Sequence, residues 1–140
     1  MIVVDASVAV KVFLDEPGTE AAFALIDTEV GNISVPDIFT VEVASALVRE
    51  ANIDKESGNA MRSKLAAFTA LVSDGAIATV RTSGADIERA ASLAIDLGHP
   101  LKDCIYLVLA MELGCPLVTC DAKFAAKARG VYAQVRVLEA

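Results

Sequence analysis

Strand-length runs of Val, Ile and Ala alternate along this chain with longer helical patterns, and that alternation constrains the fold more than any other feature. The runs fall at residues 2–4, 33–35, 76–80, 116–119 and 135–138. Parallel strands must be joined by crossovers, usually helices, so the order strand, helix, strand predicts βαβ units around a mainly parallel sheet. The first and fourth runs are apolar on both faces, as central parallel strands are. Helical spacing of apolar residues marks 6–14, 20–26, 37–51, 54 or 55 to 72, 85–97, 103–113 and 122–128, with Asp15-Glu16-Pro17-Gly18 stopping the first and Gly98 ending the fifth.

The expected fold class is therefore α/β, a single-domain three-layer α/β/α arrangement spanning 1–140. A chain of 140 residues with 55% apolar composition is about one domain long and well able to bury a core. With no Trp and 5% aromatic residues, that core is built from Ala, Val, Leu and Ile. The longest clean apolar run, 104–111, is far shorter than the roughly 18 residues of a membrane span. The start Met1-Ile2-Val3-Val4-Asp5 carries no basic segment or cleavage signature, so the expected location is cytoplasmic, with no membrane partner. Cys104, Cys115 and Cys120 are odd in number and lack paired spacing, which argues for reduced thiols packed as small hydrophobes. His99, the only histidine, sits in the helix-stop sequence Leu97-Gly98-His99-Pro100 and reads as a loop residue, since one histidine cannot build a histidine-based metal set.

Four of the nineteen acidic residues sit where an apolar segment hands over to a turn or helix: Asp5, Glu42, Asp103 and Asp121. An ionised carboxylate beside so much hydrocarbon needs a neutralising partner. In open α/β sheets ligands bind beyond the carboxyl ends of the strands, where strand order reverses. Asp5 and Asp121 follow two such strands, Asp103 opens a helix that leads into the strand before Asp121, and Glu42 lies in the second turn of the helix leaving 33–35. One fold can bring all four to one edge, and hard oxygen donors of that kind suit magnesium or manganese. The competing reading is that Asp5, Asp103 and Asp121 are simply helix N-caps and Glu42 contacts Arg49 or solvent. Ser7 and Thr119 are placed to hydrogen-bond the carboxylates or a coordinated water, or to act as ordinary capping hydroxyls. Lys11, Arg49, Lys102, Lys123, Lys127 and Arg129 are the cations nearest these segments, suited to a phosphate backbone or to solvent. The net charge of −7 weighs against a broad nucleic-acid face, although two divalent cations would offset the four clustered acids.

At these residues the sequence resembles a PIN-domain ribonuclease, and in compactness the toxin component of VapBC-type toxin–antitoxin modules. The resemblance is carried by Val3-Val4-Asp5-Ala6-Ser7, Val41-Glu42-Val43-Ala44-Ser45-Ala46-Leu47, Leu101-Lys102-Asp103-Cys104-Ile105-Tyr106-Leu107 and Leu117-Val118-Thr119-Cys120-Asp121. Two departures from the family pattern are Cys104, where Ala is common, and Lys102, where a Tyr or other polar residue is often found. The resemblance implies a Mg2+- or Mn2+-dependent endoribonuclease with Asp5, Glu42, Asp103 and Asp121 as metal and catalytic residues. It also implies an RNA substrate, a homodimer and a cognate antitoxin that covers the acidic pocket. Rival readings are a nuclease acting on DNA flaps, a non-catalytic interaction module of the same fold, and a phospho-accepting receiver domain. The last lacks the acidic pair after the first strand and the Lys after the last.

Overall fold

The computed structural model describes residues 1–139. Five strands form one sheet: β1 (Ile2–Val4), β2 (Ile33–Pro36), β3 (Ile77–Val80), β4 (Leu117–Thr119) and β5 (Val135–Val137). Every pairing is parallel, and the spatial order is β3-β2-β1-β4-β5. Val3 pairs with Ser34 on one side and Leu117 on the other, so β1 is the centre of the sheet. β1, β2 and β4 are buried throughout, whereas the edge strand β3 is exposed after Ile77. The all-apolar reading of the first and fourth runs thus identifies central strands correctly.

Seven helices connect these strands: α1 (Ala6–Phe13), α2 (Thr19–Glu29), α3 (Ile38–Ile53), α4 (Gly58–Ser73), α5 (Gly84–Leu97), α6 (Leu101–Leu113) and α7 (Ala122–Ala128). Successive crossovers from β1 to β2 to β3 step one way across the sheet, and those from β3 to β4 to β5 return past β1 to the far edge. Right-handed crossovers then put α1–α4 on one face and α5–α7 on the other, which gives the three-layer α/β/α domain. Contacts agree, since α1 packs on α2 and α3, α3 on α4, and α5 on α6. Phe68 on α4 joins the first face by ring contacts to Phe13 and Phe39, each at a centroid distance of 5.6 Å.

The differences from the sequence reading lie at boundaries. The predicted helix 54 or 55 to 72 is a 3-10 turn, Lys55–Ser57, followed by α4, because the Asp54 carboxylate accepts from the Glu56 N–H and caps the turn. α2 runs to Glu29, longer than the expected 20–26. α6 begins at Leu101, two residues before Asp103, because Pro100 presets φ at −59° and leads the chain into the helix. Asp103 is therefore a first-turn residue and not the residue that opens the helix. Gly98 does end α5 as expected, at φ 62°, with the His99 N–H donating to Ala94 O at 3.0 Å.

α6 is the most deeply buried helix, with Cys104 to Ala110 all in the core, and it packs against β1, β2 and β4. It is the platform that carries Asp103 to the sheet edge. Leu107, with no exposed surface, lies at its centre. Leu107→Ala is expected to lower the unfolding free energy by about 2–5 kcal/mol, measured as a lower urea midpoint at an unchanged slope.

Candidate active site

β1 and β4 are neighbours, and the strand order reverses between them, so the carboxyl ends of these two strands form the switch point of the sheet. The Asp5 N–H donates to Val118 O at 3.0 Å, which extends the ladder by one residue and sets Asp5 directly above β4. Asp5 is 5% exposed. Its carboxylate caps α1 by accepting from the Ser7 N–H at 2.9 Å and also accepts from the Ser7 hydroxyl. That hydroxyl in turn accepts from the Cys120 N–H at 3.1 Å, so Ser7 ties the two strand ends together. Burial pushes the Asp5 carboxyl up to about 6; hydrogen bonds from Ser7 and Thr119 partly oppose this, and the charge of Asp103 adds to it.

Asp121 follows β4 and caps α7, accepting from the Phe124 N–H at 3.0 Å, while its own N–H donates to the fully buried Thr119 hydroxyl at 3.1 Å. The capping reading is therefore correct for Asp5 and Asp121 as far as it goes. Capping occupies one oxygen of each carboxylate in these contacts, and a carboxylate has capacity for more. Asp103 caps nothing; its Oδ2 lies 2.6 Å from His99 Nε2.

Glu42, in the second turn of α3, reaches across the top of the sheet to the opposite helical layer. The Tyr106 hydroxyl of α6 donates to Glu42 Oε1 at 2.8 Å, and Lys102 Nζ stands 3.6 Å from Oε2. These contacts replace the Arg49 partner considered from sequence. The Tyr106 phenol is held far above its ordinary range by burial first, then by the Glu42 charge and hydrogen bond, then by the charges of Asp5 and Asp103. One buried phenol thus feels three of the four acids. Glu42 and Asp121 also line an open cleft of about 650 Å³ whose walls carry Lys11, Arg49 and Lys102. Lys127 and Arg129 instead bind main-chain oxygens, of Gly98 and Val135.

Two residues in this neighbourhood escape the sequence reading. Tyr106 lies inside the apolar run of α6 and looks like core; its i+3 spacing from Asp103 was the available signal that both face the same way. His99 is in the turn between α5 and α6, as expected, yet a nitrogen of its ring and one oxygen each from Asp103 and Asp121 lie within 4.8 Å of one another. Cys104 and Cys115 are buried and Cys120 partly so, all unpaired.

Carboxylates, buried and half-buried, thus stand near the switch point of a parallel α/β domain, beside a cleft rimmed by cations. The PIN domain family pattern matches residues 2–130, and the chain belongs to that family. Among solved structures, the fold is similar to VapC20 of Mycobacterium tuberculosis, a Sarcin-Ricin loop cleaving toxin, with TM-score 0.70 and 13% identity over 90% of this chain and 94% of that one. It is similar to VapBC2 from Rickettsia felis, solved bound to a DNA fragment from its promoter, with TM-score 0.66 and 17% identity over 97% of each chain. A toxin-antitoxin complex from Klebsiella pneumoniae gives 0.64 and 16% over 96% and 95%. No curated protein sequence matches the chain. Among the described residues no helix is long and apolar enough to cross a membrane.

The raised Asp5 carboxyl has a stability consequence. Protonated Asp5 is favoured in the folded state, so its stabilising contribution is complete below the ordinary value of 3.8 and is lost as pH rises through about 6. In metal-free protein, Asp5→Asn is expected to raise the thermal midpoint at pH 8, by an amount corresponding to no more than about 3 kcal/mol, and to lose that advantage at pH 4. Calorimetric melting at the two pH values in EDTA checks this.

Proposed function

We propose that this protein is a divalent-metal-dependent endoribonuclease of the VapC type, the toxin component of a type II toxin–antitoxin module, acting in the cytoplasm on RNA phosphodiester bonds. The observation that supports the reading is the PIN family match over residues 2–130, with Asp5 and Asp121 following β1 and β4 and the Tyr106 phenol feeling the charges of Glu42, Asp5 and Asp103. PIN domains are generally nucleases, and the similar folds include a Sarcin-Ricin loop cleaving toxin and toxin–antitoxin complexes.

The donor set fits Mg2+ or Mn2+. It consists of carboxylate oxygens; the Asp5 carboxyl is raised first by burial and to a lesser degree by the Asp103 charge, and a doubly charged ion would offset both. Asp5, Glu42 and Asp103 would hold the ion, and Asp121 either completes the set or orients the attacking water. A bound divalent ion supplies Lewis acidity to water and phosphate. Ser7 and Thr119 fix the Asp5 carboxylate, and the Tyr106 hydroxyl fixes one oxygen of Glu42 while leaving the other toward Lys102. Lys102 is 66% exposed, so its pairing with Glu42 is weak and easily exchanged for a phosphate oxygen. Lys11 and Arg49 extend that cationic rim along the cleft and offer contacts to the neighbouring backbone phosphates. This local concentration answers the objection raised by the overall negative charge.

The same cleft is where a cognate antitoxin would dock, since an Arg from a partner matches the carboxylates in charge and geometry. A homodimer is part of the same proposal, by similarity to the family.

Incubation with structured RNA is expected to give Mg2+-dependent cleavage that EDTA abolishes and that Asp5→Asn lowers at least about a hundredfold. Cleavage indifferent to both changes would point to a contaminant. Because the ligand carboxylates must be ionised, divalent affinity measured by calorimetry is expected to fall as pH drops below about 6. A flat affinity from pH 5 to 8 would remove Asp5 from the ligand set.

A further inference from the structure

Building on the metal-dependent reading above, we propose that His99 is a nitrogen ligand of the bound ion, so that this site discriminates in favour of Mn2+ over Mg2+. A ring nitrogen of His99 and one oxygen each of Asp103 and Asp121 lie within 4.8 Å of one another. Donors about 2.1 Å from an ion stand roughly 3 Å apart when adjacent and about 4.2 Å apart when opposite, so small side-chain rotations close the set. The 2.6 Å hydrogen-bond contact between Nε2 and Asp103 Oδ2 already aims the two groups at one point, and a bound ion would take the place of the proton between them.

The imidazole is built into place. Its side chain is 9% exposed and stacks on Phe124 of α7, with centroids 4.6 Å apart and planes 29° apart. The turn that carries it is held on both sides. Gly98 takes a positive φ, the His99 N–H bonds Ala94 O, and Lys127 Nζ, also from α7, donates to Gly98 O at 2.9 Å. α7 therefore supplies the capping carboxylate of Asp121, the ring against which His99 packs and the amine that anchors its turn. A histidine with only a loop role needs none of this convergence on two carboxylates.

Chemistry then sets the preference. An all-oxygen site suits Mg2+, whereas an imidazole nitrogen strengthens binding of transition ions far more than of Mg2+. His99 is the only histidine in the chain, which makes its nitrogen identifiable.

Tag-free protein loaded with Mn2+ is expected to show 14N hyperfine coupling of the imidazole type in pulsed EPR. His99→Phe, which keeps the ring packed on Phe124, is expected to lose that coupling and at least about tenfold in Mn2+ affinity, with Mg2+ affinity changed less than about threefold. Absence of imidazole coupling in the wild-type Mn2+ complex overturns the proposal, whatever the fate of the variant. Equal losses for both ions also overturn it, since His99 would then act only by orienting Asp103. If wild-type protein binds neither ion, the metal-dependent reading itself fails, and this inference with it.

Discussion

The parallel pairing of β1 with β4 is the constraint on which the rest of this structure depends. Each strand is three residues long, and the hydrogen bonds that join them draw together segments more than a hundred positions apart in the chain. Because the strands run the same way, both of their carboxyl ends meet at one edge, β1 followed at once by Asp5 and β4, after Cys120, by Asp121. Helix capping then fixes the two side chains: Asp5 turns into α1 and Asp121 into α7. Backbone pairing and capping together hold both carboxylates at the same end of the sheet.

That arrangement is electrostatically unfavourable in isolation, and the surrounding groups show how the fold tolerates it. Ser7 and Thr119 donate to the most buried acid, Tyr106 donates to Glu42, and His99 meets Asp103. The hydroxyl donors lower the cost of burying these acids without supplying an opposing charge. Lys102 is the exception, and it stands at the exposed margin. Asp5 and Glu42 are thus hydrogen-bonded by hydroxyls, unlike the members of a structural salt-bridge network, in which each carboxylate has its own cation.

Much of the fold could be read from the residues because the physical signals were local. Apolar runs of strand length, spaced by helical periodicity, marked all five strands, and the doubly apolar runs picked out central ones. Glycine at 98 announced a left-handed helix end. The four acids are proposed as a site on the same kind of signal: each stands beside an apolar segment where an unpaired charge is costly. What sequence hid depends on contacts between distant elements. Nothing local says that the Tyr106 hydroxyl ends at Glu42, 64 residues away. Nor does Leu97-Gly98-His99-Pro100 reveal that α7 folds back to seat the imidazole against Phe124. The start of α6 was misplaced because Pro100 was taken as part of a stop, when a fixed φ serves equally well to begin a helix.

The distance in sequence between β1 and β4 also bears on the moment at which the molecule acquires its site. Synthesis proceeds from the amino end, so Asp5 leaves the ribosome long before Val118, the carbonyl that its N–H requires, has been made. A nascent chain halted anywhere short of β4 carries Asp5, Glu42 and even Asp103 with no edge on which to assemble them. The arrangement delays pocket formation until β4 has been synthesised.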